Sequence, residues 1–412
     1  MPRSWLAGGF AASSVYGVLV AIVSADYVHQ MWGTIAACGY ALATVAALFP
    51  REAARRVLRW PSAGTDFAVA VAFCGGLVVP LCWLVAHGVG QPEVTVIARS
   101  GIGLIRYAMP YPSAGALATT TDPNAYNPYL PAMSLFGVGR AFADSPFTDP
   151  RIWFGLTFVV VFWAALRRVG AHDPVRWTVL VTGSPVIAFT LATGGDDAPM
   201  VAFLCLGFAC LWPPVGRHGP VTAGLALGIA AAMKATAWPA IAVAFALLIT
   251  VGGRRAAARF GLTALVVVGA CAGPFLARYP TALIENTVQF PLGLAHVVSA
   301  AASPLPGHLI AETGPAGHTM VVVALVLAGL VVAASLVSRP PRTVPGSMSL
   351  LAGAMTLMFM LAPSTRYGYF IYPLTLVIWL LVAIAGRNGD NYSGARAAKR
   401  APAGAGGRSG CR

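Results

Sequence analysis

Two aspartates, Asp196 and Asp197, stand side by side in Thr-Gly-Gly-Asp-Asp-Ala-Pro, between two apolar runs. Adjacent carboxylates can share acid and base work, orient hydroxyl groups, or bind a divalent cation. They can also cap the helix that follows, because a helix N-terminus favours negative charge. Capping accounts for one of the pair more readily than for two behind a double glycine. The chain holds only 13 acidic residues in 412, so a pair of them at a membrane edge, where charge is costly, marks a polar site. Glu93 follows closely on the end of an apolar run and is the first candidate for a general base; the plainer alternative is a solvated loop glutamate. Lys234, one of two lysines among 27 basic residues, interrupts an apolar stretch. Arg366 lies in Pro-Ser-Thr-Arg-Tyr-Gly-Tyr, with Tyr369 closing the motif. A lysine point charge and an arginine fork both suit phosphate oxygens. Their plainer roles are a snorkelling lysine and an interfacial arginine anchor in a tyrosine belt. Arg99, Arg106 and Asp122, the last in Asp-Pro-Asn-Ala-Tyr-Asn-Pro-Tyr, are weaker candidates, and His296 and His308 read as structural histidines.

The elements that position these side chains are membrane helices. Hydrophobic residues make 58% of the chain and charged residues 10%, against roughly 25% charged in soluble domains. Seven scattered cysteines form neither a disulfide framework nor a zinc spacing. Spans of roughly 17–25 apolar residues fall at about 5–25, 29–49, 65–89, 152–169, 175–193, 198–215, 260–277, 319–338, 348–363 and 367–386. The fold class is all-α and polytopic, with about ten full transmembrane helices. Arg3 and the Val-Ser-Ala ending at Ala25 also fit a leader peptide, but the length of that first apolar run favours a retained helix.

Basic residues fix the orientation. Arg51, Arg55, Arg56, Arg59, Arg167, Arg168, Arg176, Arg217, Arg254, Arg255, Arg259, Arg339, Arg342 and Arg387 all follow alternate spans, and the positive-inside rule makes them cytoplasmic. The opposite loops hold Asp26, Glu93, Asp122, Asp144, Asp149, Asp196, Asp197, Glu285 and Glu312. The net charge of +14 therefore reflects topology and not nucleic-acid binding. Because Arg217 and Arg254 are on the same side, residues 221–250 must enter and return. Two full crossings would need about 40 residues. The economical solution is a hairpin of short helices, Val221–Met233 and Thr236–Thr250, with Lys234 near its apex; such broken helices line cavities. The long external segments, 90–151 and 278–318, are rich in aromatics, Pro and Asn and read as ordered. Residues 1–64 form a two-helix extension with a basic loop, 65–386 the main membrane domain, and 387–412 a disordered basic tail.

An acid after a span, a second acidic motif in a later external turn, a lysine-bearing hairpin and a late Arg-Tyr-x-Tyr together resemble the GT-C glycosyltransferases. The resemblance is nearest to the polyprenol-phosphate-mannose-dependent enzymes of glycosyltransferase family 87 and covers roughly 65–386. The chain departs from the family in having Glu93 where members often carry Asp, and Gly-Gly-Asp-Asp where they often carry Gly-Gln-x-Asn. The resemblance implies a plasma-membrane enzyme that moves a sugar, with mannose expected, from a polyprenyl-phosphate donor to an envelope glycan or glycolipid at the outer face. Glu93, Asp196 and Asp197 would then be catalytic, with Lys234, Arg366, Arg99, Asp122 and Tyr369 binding substrate. No cofactor and no metal ligand are assigned, and a divalent cation stays open. The competing class is a secondary transporter or flippase using the same acids as ion sites; it is disfavoured by the lack of an inverted repeat and by the crowding of acids at one face.

Overall fold

A computed structural model describes residues 2–49, 65–213 and 215–400. The expected basic loop at 51–60 and the end of the tail, 401–412, lie outside the described residues. The fold is helical throughout, as a chain must be when lipid offers its backbone no hydrogen bonds. Among the described residues, eight helices are long and apolar enough to cross a membrane. In chain order they are α1 (Arg3–Val23), α2 (Tyr27–Leu48), α3 (Thr65–Ala86), α5 (Pro150–Arg168), α11 (Gly253–Arg278), α12 (Pro315–Ser338), α13 (Val344–Leu361) and the span Tyr367–Ala385, which contains the first half of α14 (Ile371–Arg400). Between them stand α4 (Pro92–Tyr107), the bent pair α6 (Pro174–Thr182) and α7 (Pro185–Thr193), and three short apolar helices. These last are α8 (Asp197–Cys210), α9 (Gly219–Met233) and α10 (Trp238–Val251).

Each apolar span read from the sequence falls on a helix, but the one read at 198–215 is the 14-residue α8, too short to count among the crossing helices. Among the described residues, eight therefore stand where about ten were expected, or nine with the bent pair as one span. There are two further refinements. The span at 175–193 bends by 64° at Gly-Ser-Pro, where Pro185 lacks the N–H that would continue the ladder. The last helix continues to Arg400, into the stretch expected to be a disordered tail. The first two spans are part of the main body. A Cβ added to Gly75 would lie 2.4 Å from the Cα of Gly39, so α2 and α3 touch backbone to backbone, as small residues permit in membranes. Within α3, the π-turn Cys74–Val78 presents the Gly76 carbonyl to Trp32 Nε1 at 2.9 Å.

The hairpin is present. Gly224 packs on Phe260 and Thr263, and Gly228 on Ala264 and Val267, so α9 runs parallel to α11. Gly252 packs on Ala256 and Gly261 on Phe245, so α10 runs antiparallel to it. The two short helices therefore share an end at Gly219 and Val251, and Lys234 sits at the turn between them in extended geometry (φ −153°, ψ 137°). The two long segments between spans, 90–151 and 278–318, are ordered. The first holds α4 and a long 3₁₀ stretch, Pro131–Ala141; the second is tied to the first through buried Asn286, which accepts from the Asn127 N–H at 2.8 Å.

Candidate functional site

The double glycine places the aspartates. Helix α7 ends at Thr193, and Gly194 turns the chain with φ +148°, a conformation that side chains rarely adopt. A Cβ on Gly195 would lie 1.9 Å from Thr190 Cγ2, so no larger residue fits there. Asp196 then precedes α8 and Asp197 opens it, both buried (4% and 6% exposed). Capping does not consume their charge. Lys234 Nζ donates to Asp196 Oδ2 at 3.1 Å and also to Asp197. The ammonium stands 5.3 Å from the Tyr129 ring centre and 5.5 Å from that of Tyr369, within cation–π range. The Tyr372 hydroxyl donates to Asp197 and lies 2.9 Å from Thr236 Oγ1. Burial raises the Asp196 carboxyl above the ordinary carboxylate range; Lys234 opposes that rise, while Asp197 and Glu93 add to it.

A second ion pair completes the site. Glu93 lies in the first turn of α4, and one of its oxygens accepts from Arg366. Its Oε2 is buried and has no hydrogen-bond partner. Arg366 belongs to an extended segment held on the second external segment. Ser303 N donates to Thr365 O at 2.9 Å, Thr365 N to Ala301 O at 3.0 Å, and Tyr367 N to Ser303 Oγ at 3.1 Å. The two ion pairs act on one another, since Glu93 contributes to the field at both Asp196 and Tyr129. Three carboxylates and two cations, from segments spread between Glu93 and Arg366, thus converge at one end of the bundle.

The other sequence candidates go elsewhere. Arg99 is exposed and donates to the carbonyls of Asn124 and Ala125 at 2.7 and 2.8 Å. Asp122 caps the turn Pro123–Ala125 through the Asn124 N–H. Both organise the first external loop, and neither has a hydrogen bond to the acidic cluster. His296 binds the Thr120 carbonyl and His308 the Pro363 carbonyl, as structural histidines do. Among the described residues no group of three or more His, Cys, Asp or Glu side chains converges as a metal cage would require.

Tyr129 and Tyr372 were not singled out from the sequence. Tyr372 carried a usable signal: it lies three residues after Tyr369, so the two share a face once the segment is helical. Tyr129 sits in Tyr-Asn-Pro-Tyr, a motif that by itself indicates only an ordered turn.

Compared with known proteins, residues 128–363 match the sequence model of glycosyltransferase family 87. No curated protein and no solved structure matches the chain. The matched stretch contains Tyr129, Asp196, Asp197 and Lys234, whereas Glu93, Arg366, Tyr369 and Tyr372 lie on either side of it.

Proposed function

The chain belongs to glycosyltransferase family 87, and from that membership we propose that it transfers a sugar, mannose, from a polyprenyl-phosphate donor to an envelope glycan or glycolipid. The reaction takes place at the outer face of the plasma membrane, the side that the distribution of arginines assigns to Glu93, Asp196 and Asp197. Membership establishes a glycosyltransferase with a sugar donor, an acceptor and a bilayer around it; the donor's identity, the sugar and the sidedness are our reading.

The observation that carries the reading is the pairing of a free buried carboxylate oxygen with nearby cations. Glu93 Oε2 has no partner, as a base awaiting a hydroxyl proton should. In the proposed step the acceptor hydroxyl gives its proton to Oε2 while its oxygen forms a bond to the anomeric carbon. The bond from that carbon to the phosphate oxygen breaks, and the phosphate leaves with the electron pair. Its growing negative charge draws on Arg366 and Lys234, which strengthen their contacts as the bond breaks. Asp196 and Asp197 hold Lys234 in place and are positioned to orient the acceptor's hydroxyls. Tyr369 lies beneath the ammonium and supplies a face against which a sugar can pack. Arg99 and Asp122 support this indirectly, by ordering the turn Pro123–Ala125 that precedes Tyr129.

The test is transfer by the purified protein in lipid nanodiscs, given polyprenyl-phosphate [¹⁴C]mannose and a mannoside acceptor. Labelled product and stoichiometric free polyprenyl phosphate are expected. Proton-coupled uptake into vesicles with no polyprenyl phosphate released would overturn the reading in favour of a transporter. Transfer from the arabinose donor alone would keep the mechanism and change the sugar.

A further inference from the structure

Arg151, in the first turn of α5, is among the largest fully buried side chains, with 1% of its surface exposed. Its guanidinium makes bonds in three directions. Nε and Nη2 donate to the two oxygens of Asp149, each at 2.9 Å. Nη1 donates to the carbonyl of Val89 at 2.7 Å and to that of Ala192 at 3.2 Å. Those two carbonyls belong to the segments that carry the site's acids: Val89 precedes Glu93 by four residues, and Ala192 precedes Asp196 by four. The same segments are stitched once more by the Gln91 N–H, which donates to the Thr193 carbonyl at 2.8 Å. Gly90 leaves the guanidinium room, since a Cβ there would stand 3.1 Å from Nη1. A helix brace alone would need only the Asp149 pair. The reach across to two segments distant in sequence, the loop before α4 and the last turn of α7, each leading into an acidic motif, asks for a further reason.

We propose that Arg151 is the positioning residue of the site, a clamp that fixes the spacing between Glu93 and the Asp196–Asp197 pair. The proposal rests on the reading that these carboxylates carry the transfer. Arg151 is too deeply buried to touch substrate, so it acts through the two backbone segments. A planar fork suits the task. Four of its five N–H groups are engaged, and a lysine ammonium has only three donors, without the fixed geometry. A lysine at this position can keep its charge beside Asp149 but cannot hold the carboxylate and both carbonyls together. The cost falls on spacing, and misplacement by about 1 Å at a reacting centre lowers turnover roughly 10²-fold.

The experiment compares R151K and the control R140Q with the parent protein in nanodiscs. Arg140 also faces Asp149, at 3.6 Å, but has no hydrogen bond to either segment. For R151K we expect a fall in kcat of roughly 10²-fold with little change in the donor KM, and faster amide hydrogen exchange confined to residues 88–95 and 190–197. R140Q should keep normal turnover and normal exchange. Parental kcat or unaltered exchange in either segment of R151K would overturn the proposal. Should R151K fail to insert, G90A pushes the guanidinium away from Val89 with every charge retained; the same local loss of protection is expected, and unchanged exchange there would equally overturn it. Failure of the underlying reading has a separate signature. Normal turnover by both E93Q and D197N would dismiss the carboxylates as the reacting groups, while the exchange data would still decide whether Arg151 clamps the two segments.

Discussion

Lys234→Met removes the ammonium between Asp196 and Asp197 and keeps an apolar stem of similar length. Two neighbouring carboxylates, 4% and 6% exposed, then lose the cation that both contact. Taking one partner from a buried ion pair costs about 3–5 kcal/mol. The loss depends on pH, and its sign follows from the direction of the shift. Burial already holds the Asp196 carboxyl above its ordinary range despite Lys234, and removing the cation moves it further up. A carboxyl whose folded pKa is raised stabilises the fold fully below its unfolded value, about 3.9, and that stabilisation disappears as pH climbs through the raised value. In that window the variant loses about 1.4 kcal/mol per pH unit for the one retained proton. Thermal unfolding in nanodiscs should therefore show a deficit relative to the parent that is large near about pH 8 and smaller near about pH 5.5. D197N/K234M, which removes one of the two stranded charges, should recover much of the loss. Turnover of this double variant should fall roughly 10²-fold below that of D197N alone if the ammonium stabilises a leaving phosphate, which separates chemistry from folding. A K234M protein that melts with the parent at both pH values would refute the argument that these groups form a buried triad.

E93Q should lower single-turnover release of polyprenyl phosphate by roughly 10²-fold or more, with donor affinity little changed; near-normal release would transfer the role of base to the aspartate pair. R366K should be nearly as damaging to kcat as R366M, because lysine lacks the fork that can bridge two phosphate oxygens; full activity in R366M would make this arginine an interface anchor. In a cysteine-depleted background, an impermeant thiol reagent added to intact cells should label T119C and leave R254C unlabelled, and the opposite pattern would invert the topology.

Much of the fold was legible because lipid enforces a simple rule. Every backbone group must find its partner inside a helix, so hydropathy alone located the spans, and parity of the arginines led to the hairpin around Lys234. What stayed hidden depends on contacts between distant residues. Nothing in one sequence says that Lys234 meets Asp197 rather than solvent, or that Arg366 meets Glu93. The sequence offered both cations as phosphate ligands, and the structure gives each a carboxylate partner in the same cluster. Helix α4 was also hidden within a segment read only as ordered loop. Its buried residues, Val94, Val96, Ile97, Ser100 and Gly101, mix small and polar types and fall short of a membrane span. Arg151 escaped notice because an arginine behind Asp-Pro at the start of a helix is ordinary; its importance lies in the two carbonyls it reaches.

The hairpin also sets a depth. Helices α8, α9 and α10 have 14, 15 and 14 residues, lengths of about 21–23 Å at about 1.5 Å per residue. The hydrocarbon layer is about 30 Å thick. Rising from a common level at the arginine-rich end, these helices are shorter than that layer is thick, while the 26 residues of α11 continue past them. The ionic cluster, at the ends of the short helices, therefore lies at a lower level than the end of α11. On the proposed reading, a lipid headgroup held by this cluster would sit below the plane of its neighbours in the leaflet, and each charge it meets would act through a medium less polarisable than the solution above.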